Sequence, residues 1–237
     1  MTPDRVEVRA RGRKLPVALA RLHGSMIVGQ AAELVFTPPA GPITPTDLLV
    51  GAGFDVLRAP SAPEDGWRVR RARSLPDTVG AGLRLLVCGL NPSEHAADAG
   101  VGYVTPGNRF WPAALEAGLV SRDRDPWHAL TAHGVGMSDV VKRATPRADA
   151  LTRDEYRAGM ARLERLCSWL RPGAVVFVGL AGWRAAVDPR AVAGEQPVLL
   201  GGRPVYVLPS TSGLNAATPL PALVDHLRAA VDLASTD

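Results

Sequence analysis

The sequence predicts an α/β protein: a mostly parallel sheet with helices on both faces, preceded by a small N-terminal α/β domain. Three observations carry this. Residues 84–88 (RLLVC) and 174–179 (AVVFVG) are unbroken apolar runs, as expected of strands covered on both sides. Helical periodicities alternate with them, the pattern of a parallel sheet with crossover helices. A break at residues 74–83 (SLPDTVGAGL), with Pro76, Gly80 and Gly82, separates this region from what precedes it. The expected domains are therefore 1–78 and 79–237.

Within the first domain, residues 32–36 (AELVF) predict a strand. Residues 46–53 predict a helix capped by Thr46 and stopped at Gly51 or Gly53. Residues 67–72 (WRVRRA) alternate apolar and basic, which predicts an edge strand with one wet face. In the second domain, the strand 84–88 ends at Gly89. Asn108 is expected to cap a helix running through Ala117 and stopped by Gly118. Thr152 and Glu155 form a capping-box pair opening a long helix, with Tyr156, Met160, Leu163 and Leu170 on its apolar face. Leu199 and Leu200 lead through Gly201 and Gly202 into a strand at 205–208 (VYVL). Thr218 and Pro219 start the last helix, with Leu223, Leu227 and Val231 inward. Ligands of such sheets sit at the carboxyl ends of strands, which directs attention to the segments after Cys88 and after Leu208.

Composition excludes several classes. The 237 residues carry 27 basic and 23 acidic side chains, a formal charge of +4, too mild to identify a nucleic-acid binder by itself. Only Lys14 and Lys142 are lysines. The basic excess gathers in residues 5–14 and 68–73, so the second domain is nearly neutral. No apolar run approaches the ~18 residues of a membrane span, and Asp4, Arg5 and Glu7 stand where a secretory signal would be apolar. Cys88 and Cys167 are the two cysteines, too few for a disulfide framework or a cysteine-rich zinc site. A cytoplasmic, nucleoid-associated, metal-free and cofactor-free monomer is expected. Neither a phosphate-binding G-x-x-x-x-G-K loop nor an H-E-x-x-H pair occurs.

Three segments stand out: Gly89-Leu-Asn-Pro-Ser93, followed by Asn108-Arg-Phe-Trp111; the middle block from Gly134 to Pro146 (GVGMSDVVKRATP); and Leu208-Pro-Ser-Thr-Ser-Gly-Leu-Asn215. In this order and spacing they resemble the mismatch-specific uracil-DNA glycosylase and thymine-DNA glycosylase family, over residues 82–233. The resemblance implies a uracil-DNA-glycosylase-like fold and a monofunctional glycosylase. Such an enzyme flips out uracil, thymine or a modified cytosine paired with guanine and hydrolyses its N-glycosidic bond, in base excision repair, with no strand cleavage. Its partner is double-stranded DNA holding a mismatched or damaged base, with single strands a second candidate.

The residue chemistry fits. Cleaving a C1′–N bond passes through a sugar cation, so a positioned water matters more than a strong nucleophile, and the Asn91 amide oxygen can hold that water. The family places its catalytic asparagine here. Backbone groups at Leu90 and Asn91 can read the extruded base by fixed geometry. The resemblance puts the Tyr103 ring against that base and a small residue, Ala96, near its C5. Ser210 stands where the bacterial mismatch enzymes have asparagine. Leu214, on the small-residue loop with Ser212, Gly213 and Asn215, suits a wedge entering the base stack. His95 is an accessory candidate, because a histidine can hand a proton to or hydrogen-bond a leaving base. Asn108 is expected to cap a helix, Phe110 and Trp111 to be core, and Lys142 to face solvent or a phosphate. Ser93 departs from the family glycine. With the altered loop at Ser210, it motivates an alternative, a catalytically weak or inactive lesion-sensing DNA-binding protein of the same fold.

Residues 18–75 resemble the last strands and helix of a class I methyltransferase, without a cofactor loop; the arginines at 68, 70, 71 and 73 could add phosphate contacts.

Overall fold

The computed structural model describes residues 4–62, 64–147 and 150–235. Two sheets organise it. The first contains β1 (Asp4–Val8), β2 (Ala31–Phe36), β3 (Phe54–Arg58) and β4 (Trp67–Arg71) in the order β1-β2-β4-β3. β1 and β2 are parallel, joined by α1 (Leu15–Ser25), and β4 runs antiparallel to both its neighbours. The Arg/Val alternation of β4 thus marks an interior strand with one solvated face, not an edge: Val69 is buried while Arg68 and Arg70 face outward. Periodicity reports how many faces are wet, and says nothing of how many edges are paired.

The second sheet has the order β6-β5-β7-β9-β8. β5 (Leu85–Gly89), β6 (Val135–Asp139), β7 (Ala174–Val178) and β9 (Val205–Leu208) are parallel, and the two-residue β8 (Gly194–Glu195) closes one edge antiparallel. Side chains alternate between two cores. Leu86 and Cys88 of β5, with Val175 and Phe177 of β7, face α6 (Arg153–Leu170). Leu85, Val87, Ala174 and Val176 face α4 (Phe110–Glu116), α5 (Pro126–His133) and α8 (Leu220–Leu233). The remaining helices are α2 (Pro45–Gly51), α3 (Glu94–Ala99) and α7 (Leu180–Ala186).

The expected caps are close to those observed. Thr152 and Glu155 bond reciprocally, opening α6. Thr44, not Thr46, caps α2, because its side chain reaches the Asp47 N–H while the Asp47 carboxylate returns to the Thr44 N–H. Pro45 then occupies the first helical position, where its missing N–H costs nothing. Pro219, rather than Thr218, is the cap residue of α8.

One apolar core runs from the first sheet through α6 into the second, joining Leu19, Leu34, Leu49 and Val69 to Leu163 and Leu166. Polar links follow the same seam. Arg165 binds Asp47 through two bonds of 2.7 Å, and Arg13 donates to the Trp169 carbonyl at 2.8 Å. Against the chain just past β6, α6 packs through Gly159, whose added Cβ would stand 2.0 Å from the Val140 carbonyl oxygen. Gly159→Ala should therefore lower stability by ~1–3 kcal/mol through overpacking. Gly24→Ala, in α1 with nothing within 4 Å of its added Cβ, should raise it by about 0.5–1 kcal/mol. Urea unfolding of the two variants checks this opposition of sign.

Candidate active site

The carboxyl ends of β5 and β6 lie side by side, with Gly89 opposite Asp139. The chains stay joined beyond the strands. Val140 N–H donates to Gly89 O and Val141 N–H to Leu90 O, both at 2.9 Å, and Thr145 N–H donates to Pro92 O at 3.2 Å. The Leu90 carbonyl is thus occupied by the protein itself, and its side chain packs on Gly182 of α7. Ser93 caps α3, accepting the Ala96 N–H at 3.1 Å. A serine in place of glycine therefore has a local structural purpose.

Asn91 is held through one half of its amide. Nδ2 donates to Pro92 O and Arg143 O, each at 3.1 Å, and to Thr145 Oγ1 at 2.8 Å. Both carbonyls can only accept, so the amide orientation is determined by its surroundings. The Thr145 hydroxyl proton points to Arg147 O at 2.9 Å, leaving a lone pair for Asn91. Oδ1 is thereby oriented away from these three acceptors. Thr145 and the Arg143 carbonyl are contributors that the sequence reading had no role for. Their signal was the Thr-Pro pair closing the middle block.

Asn91 and Leu90 help line a cavity of about 150 Å³ whose wall also includes Ala96, Tyr103 and Asn108. Tyr103 adopts a left-handed backbone (φ 60°), a conformation uncommon outside glycine and worth about 1–3 kcal/mol of strain. Its ring stacks on Phe110, centroids 4.3 Å apart, and Phe110 and Trp111 are core residues. Asn108 does not cap α4 as such: its side chain accepts the Phe110 N–H at 3.0 Å, while Arg109 holds the cap position. Asp139, Ser138 and Met137 line the cavity from β6. Burial pushes the Asp139 carboxyl up to about 6, an effect that Lys142 offsets in part and Asp77 increases.

Below the cavity lies a buried ionic centre. Asp77 accepts Lys142 Nζ and Ser138 Oγ at 2.7 Å and Arg162 Nη1 at 2.6 Å. Arg162 Nη2 also donates to Ser138 Oγ at 3.0 Å and Asp139 O at 2.8 Å. Burial opposes ionisation of Asp77, but Arg162 and Lys142 outweigh it and hold the carboxyl below the usual carboxylate range. Lys142 is thus a buried structural cation, contrary to the expected solvent-facing position. A short apolar lead-in to a lone lysine gave no hint that an aspartate 65 residues earlier would meet it.

The last segment, residues 209–218, is braced by Arg109. Its guanidinium donates to Thr218 O and Asn215 O at 2.5 Å and to Ser212 O at 3.2 Å. Asn215 Nδ2 donates to Ser210 O at 2.8 Å, and Ser210 Oγ accepts the Ser212 N–H at 3.3 Å. Gly213 meets Gly107 on the neighbouring loop so closely that a Cβ would stand 2.9 Å from Gly107 O. Leu214 is 97% exposed at the tip. These five residues, 210 and 212–215, lie outside the cavity wall, as does His95, exposed on α3. Of the basic stripe, Arg70 pairs with Asp55, Arg73 with Asp98 and Glu94, and Arg71 donates to Met26 O.

Among the described residues, no helix is long and apolar enough to cross a membrane, and no group of three or more His, Cys, Asp or Glu could hold a metal ion. A solved NMR structure of a candidate uracil DNA glycosylase from Methanosarcina acetivorans is similar at 21% identity and TM-score 0.49, covering 68% of this chain and 97% of that one. The family model of the uracil DNA glycosylase superfamily matches residues 76–232. That span contains both strand ends of the cavity, the Asn91 clamp and the Leu214 loop, and the chain belongs to this superfamily of DNA glycosylases, enzymes that hydrolyse N-glycosidic bonds.

Proposed function

We propose that the protein is a monofunctional glycosylase acting on double-stranded DNA, removing uracil opposite guanine, with thymine and modified cytosines as further candidates. The observation carrying this reading is the Asn91 clamp: three acceptors take the amide nitrogen, so the amide oxygen is left to hold a water. On this reading the extruded deoxynucleotide places its base in the cavity against Tyr103, with Ala96 leaving space near C5. Water held by Asn91 adds to C1′ as the C1′–N bond breaks. The water proton goes to solvent and the base leaves with the bonding pair. Leu214 fills the vacated stack, and extrusion costs least at a mispair. Lys142, buried and paired with Asp77, supplies no amine for a Schiff base, which supports an abasic product without strand cleavage.

The lesion-sensing alternative rested on Ser93 and Ser210. Ser93 is an N-cap, so its presence is accounted for by α3 and carries no argument against catalysis. For the N-terminal domain, residues 1–78, we propose a docking role, with the methyltransferase-like resemblance of residues 18–75 as its origin. Their parallel β1–β2 pair with a crossover helix, followed by an antiparallel pair, supports that resemblance.

The test is single-turnover incubation with duplexes containing G:U, G:T or A:U, followed by alkali. A break that requires alkali is expected with G:U; none on any duplex or single strand would overturn the enzyme reading. Asn91→Ala should slow base release by about 10²–10³, the scale of one lost preorganised group. Thr145→Val should slow it about tenfold with substrate affinity little changed, since one net hydrogen bond of ~1–1.5 kcal/mol is lost from the clamp. Leu214→Ala should leave thermal stability unchanged while slowing release from G:U duplexes about tenfold.

A further inference from the structure

The cavity contains a polar feature that the water-holding Asn91 does not use. Asp139 and Tyr103 are the only ionisable side chains lining it among the described residues. A Cβ added to Gly89 would stand 2.4 Å from Asp139 Oδ1 and 3.1 Å from Tyr103 Oη. Carboxyl and hydroxyl therefore converge on the same backbone point, which glycine alone leaves open. Tyr103 Oη is buried with no hydrogen-bonding partner. Such an orphan costs roughly 1–3 kcal/mol unless something completes it. The Asp139 carboxyl is held only by a long ion pair, with Lys142 Nζ 3.9 Å away, while Ser138, Arg162 and Lys142 itself all bond to Asp77 at 2.7 Å or less, or through the Asp139 main chain. A phenol without a partner and a carboxyl held only by one long ion pair, both lining the cavity, mark a place for a ligand's polar atom.

We propose that Asp139 and Tyr103 together take one exocyclic carbonyl oxygen of the extruded pyrimidine, with Asp139 in its protonated form as a donor, so that Asp139 is a specificity-determining residue of this site. The inference rests on the glycosylase reading above. Asn91 lies two residues past the strand end and serves the sugar, whereas Asp139 lies at the strand end itself, level with Gly89, where the base comes to rest. A base departing from C1′ takes the bonding electrons, and much of that charge resides on its carbonyl oxygens. A carboxylate there would repel it; a carboxylic acid and a phenol stabilise it. A ring bearing an amine at that edge would instead need the carboxylate, as acceptor.

The groups around Asp139 set its response to pH. They are Lys142 beyond the end of β6, Asp77 before β5, Arg162 from α6, Cys88 within β5 and Tyr103 from the loop before α4. Burial of the Cys88 thiol and the Tyr103 phenol pushes both well above their ordinary values, and Asp77 is held low by its two cations. Of Asp139, Asp77, Cys88 and Tyr103, Asp139, raised to about 6, is thus the one that changes charge between pH 5 and 8. It is the donor below that value and the repelling anion above it.

The experiment is single-turnover release of uracil from a G:U duplex between pH 5 and 8, for wild type, Asp139→Asn and Tyr103→Phe, with thermal melts to verify folding. Wild-type release is expected to fall at least tenfold as pH rises, with an inflection near 6. Asp139→Asn, whose amide donates at every pH, should flatten that limb and release uracil faster than wild type at pH 8. Tyr103→Phe keeps the ring on Phe110 and should slow release at all pH values without moving the inflection. A flat wild-type profile, or an unchanged inflection in Asp139→Asn, overturns this inference. If wild type releases uracil, Asn91→Ala does not, and Asp139→Asn matches wild type throughout, only the Asp139 role falls. If no duplex loses a base at any pH, both readings fall.

Discussion

The carboxylate of Asp77 is the point on which the architecture turns. It comes from the segment between the two sheets and is met by a cation from α6 and another from the chain leaving β6. A lone charge at that depth would be untenable, and a pair of cations without it equally so; together they constrain where three separate elements lie. Such a centre adds little net stability over an apolar packing of the same shape. Its contribution is geometric: Arg162 also binds the Asp139 main chain and Ser138, so the docking of α6 sets the height of the β6 end on which the cavity is built. Gly51, whose carbonyl accepts the Asp77 N–H at 2.8 Å, extends the same arrangement into α2. The first sheet is therefore part of what holds the site in place, whatever its ancestry.

Next to this centre the loop at residues 90–92 is treated almost as a continuation of the sheet. Carbonyls at 89, 90 and 92 each receive an N–H from the segment after β6, and the Asn91 amide joins that segment through its side chain. Preorganisation of this kind removes the conformational cost of orienting a group at the moment of reaction. It also explains why the loop contains proline and a helix-capping serine rather than flexible residues.

Much of this was legible in the sequence. Apolar runs at 84–88 and 174–179, the Thr152 capping box and the Leu223/Leu227 spacing translated directly into strands and helices because each is a local signal. Asn91, Leu90, Ala96 and Tyr103 were legible through the resemblance of the three segments to a known family, and the fold brings all four to one cavity wall. What escaped was non-local. The pairing of Asp77 with Arg162 spans 85 residues, and no periodicity reports it. Asp139 looked like one polar residue in a block of small ones until the fold put it beside Gly89 and Tyr103. Lys142 looked solvent-facing because lysines usually are, and only the approach of Asp77 reverses that. The position of β4 inside its sheet was likewise set by β3, a strand whose sequence, FDVLR, shows weak alternation.

The bracing of residues 209–218 by Arg109 has a kinetic side. A loop tied by three guanidinium bonds and pressed glycine to glycine against its neighbour has lost its conformational freedom during folding, before any duplex arrives. On the glycosylase reading proposed above, the Leu214 tip is a stiff probe rather than a search among loop shapes, and little ordering entropy is left for the encounter. For a protein that must test many ordinary base pairs for each damaged one, brief contacts with a rigid tip allow rapid rejection, and dwell time is reserved for pairs that yield.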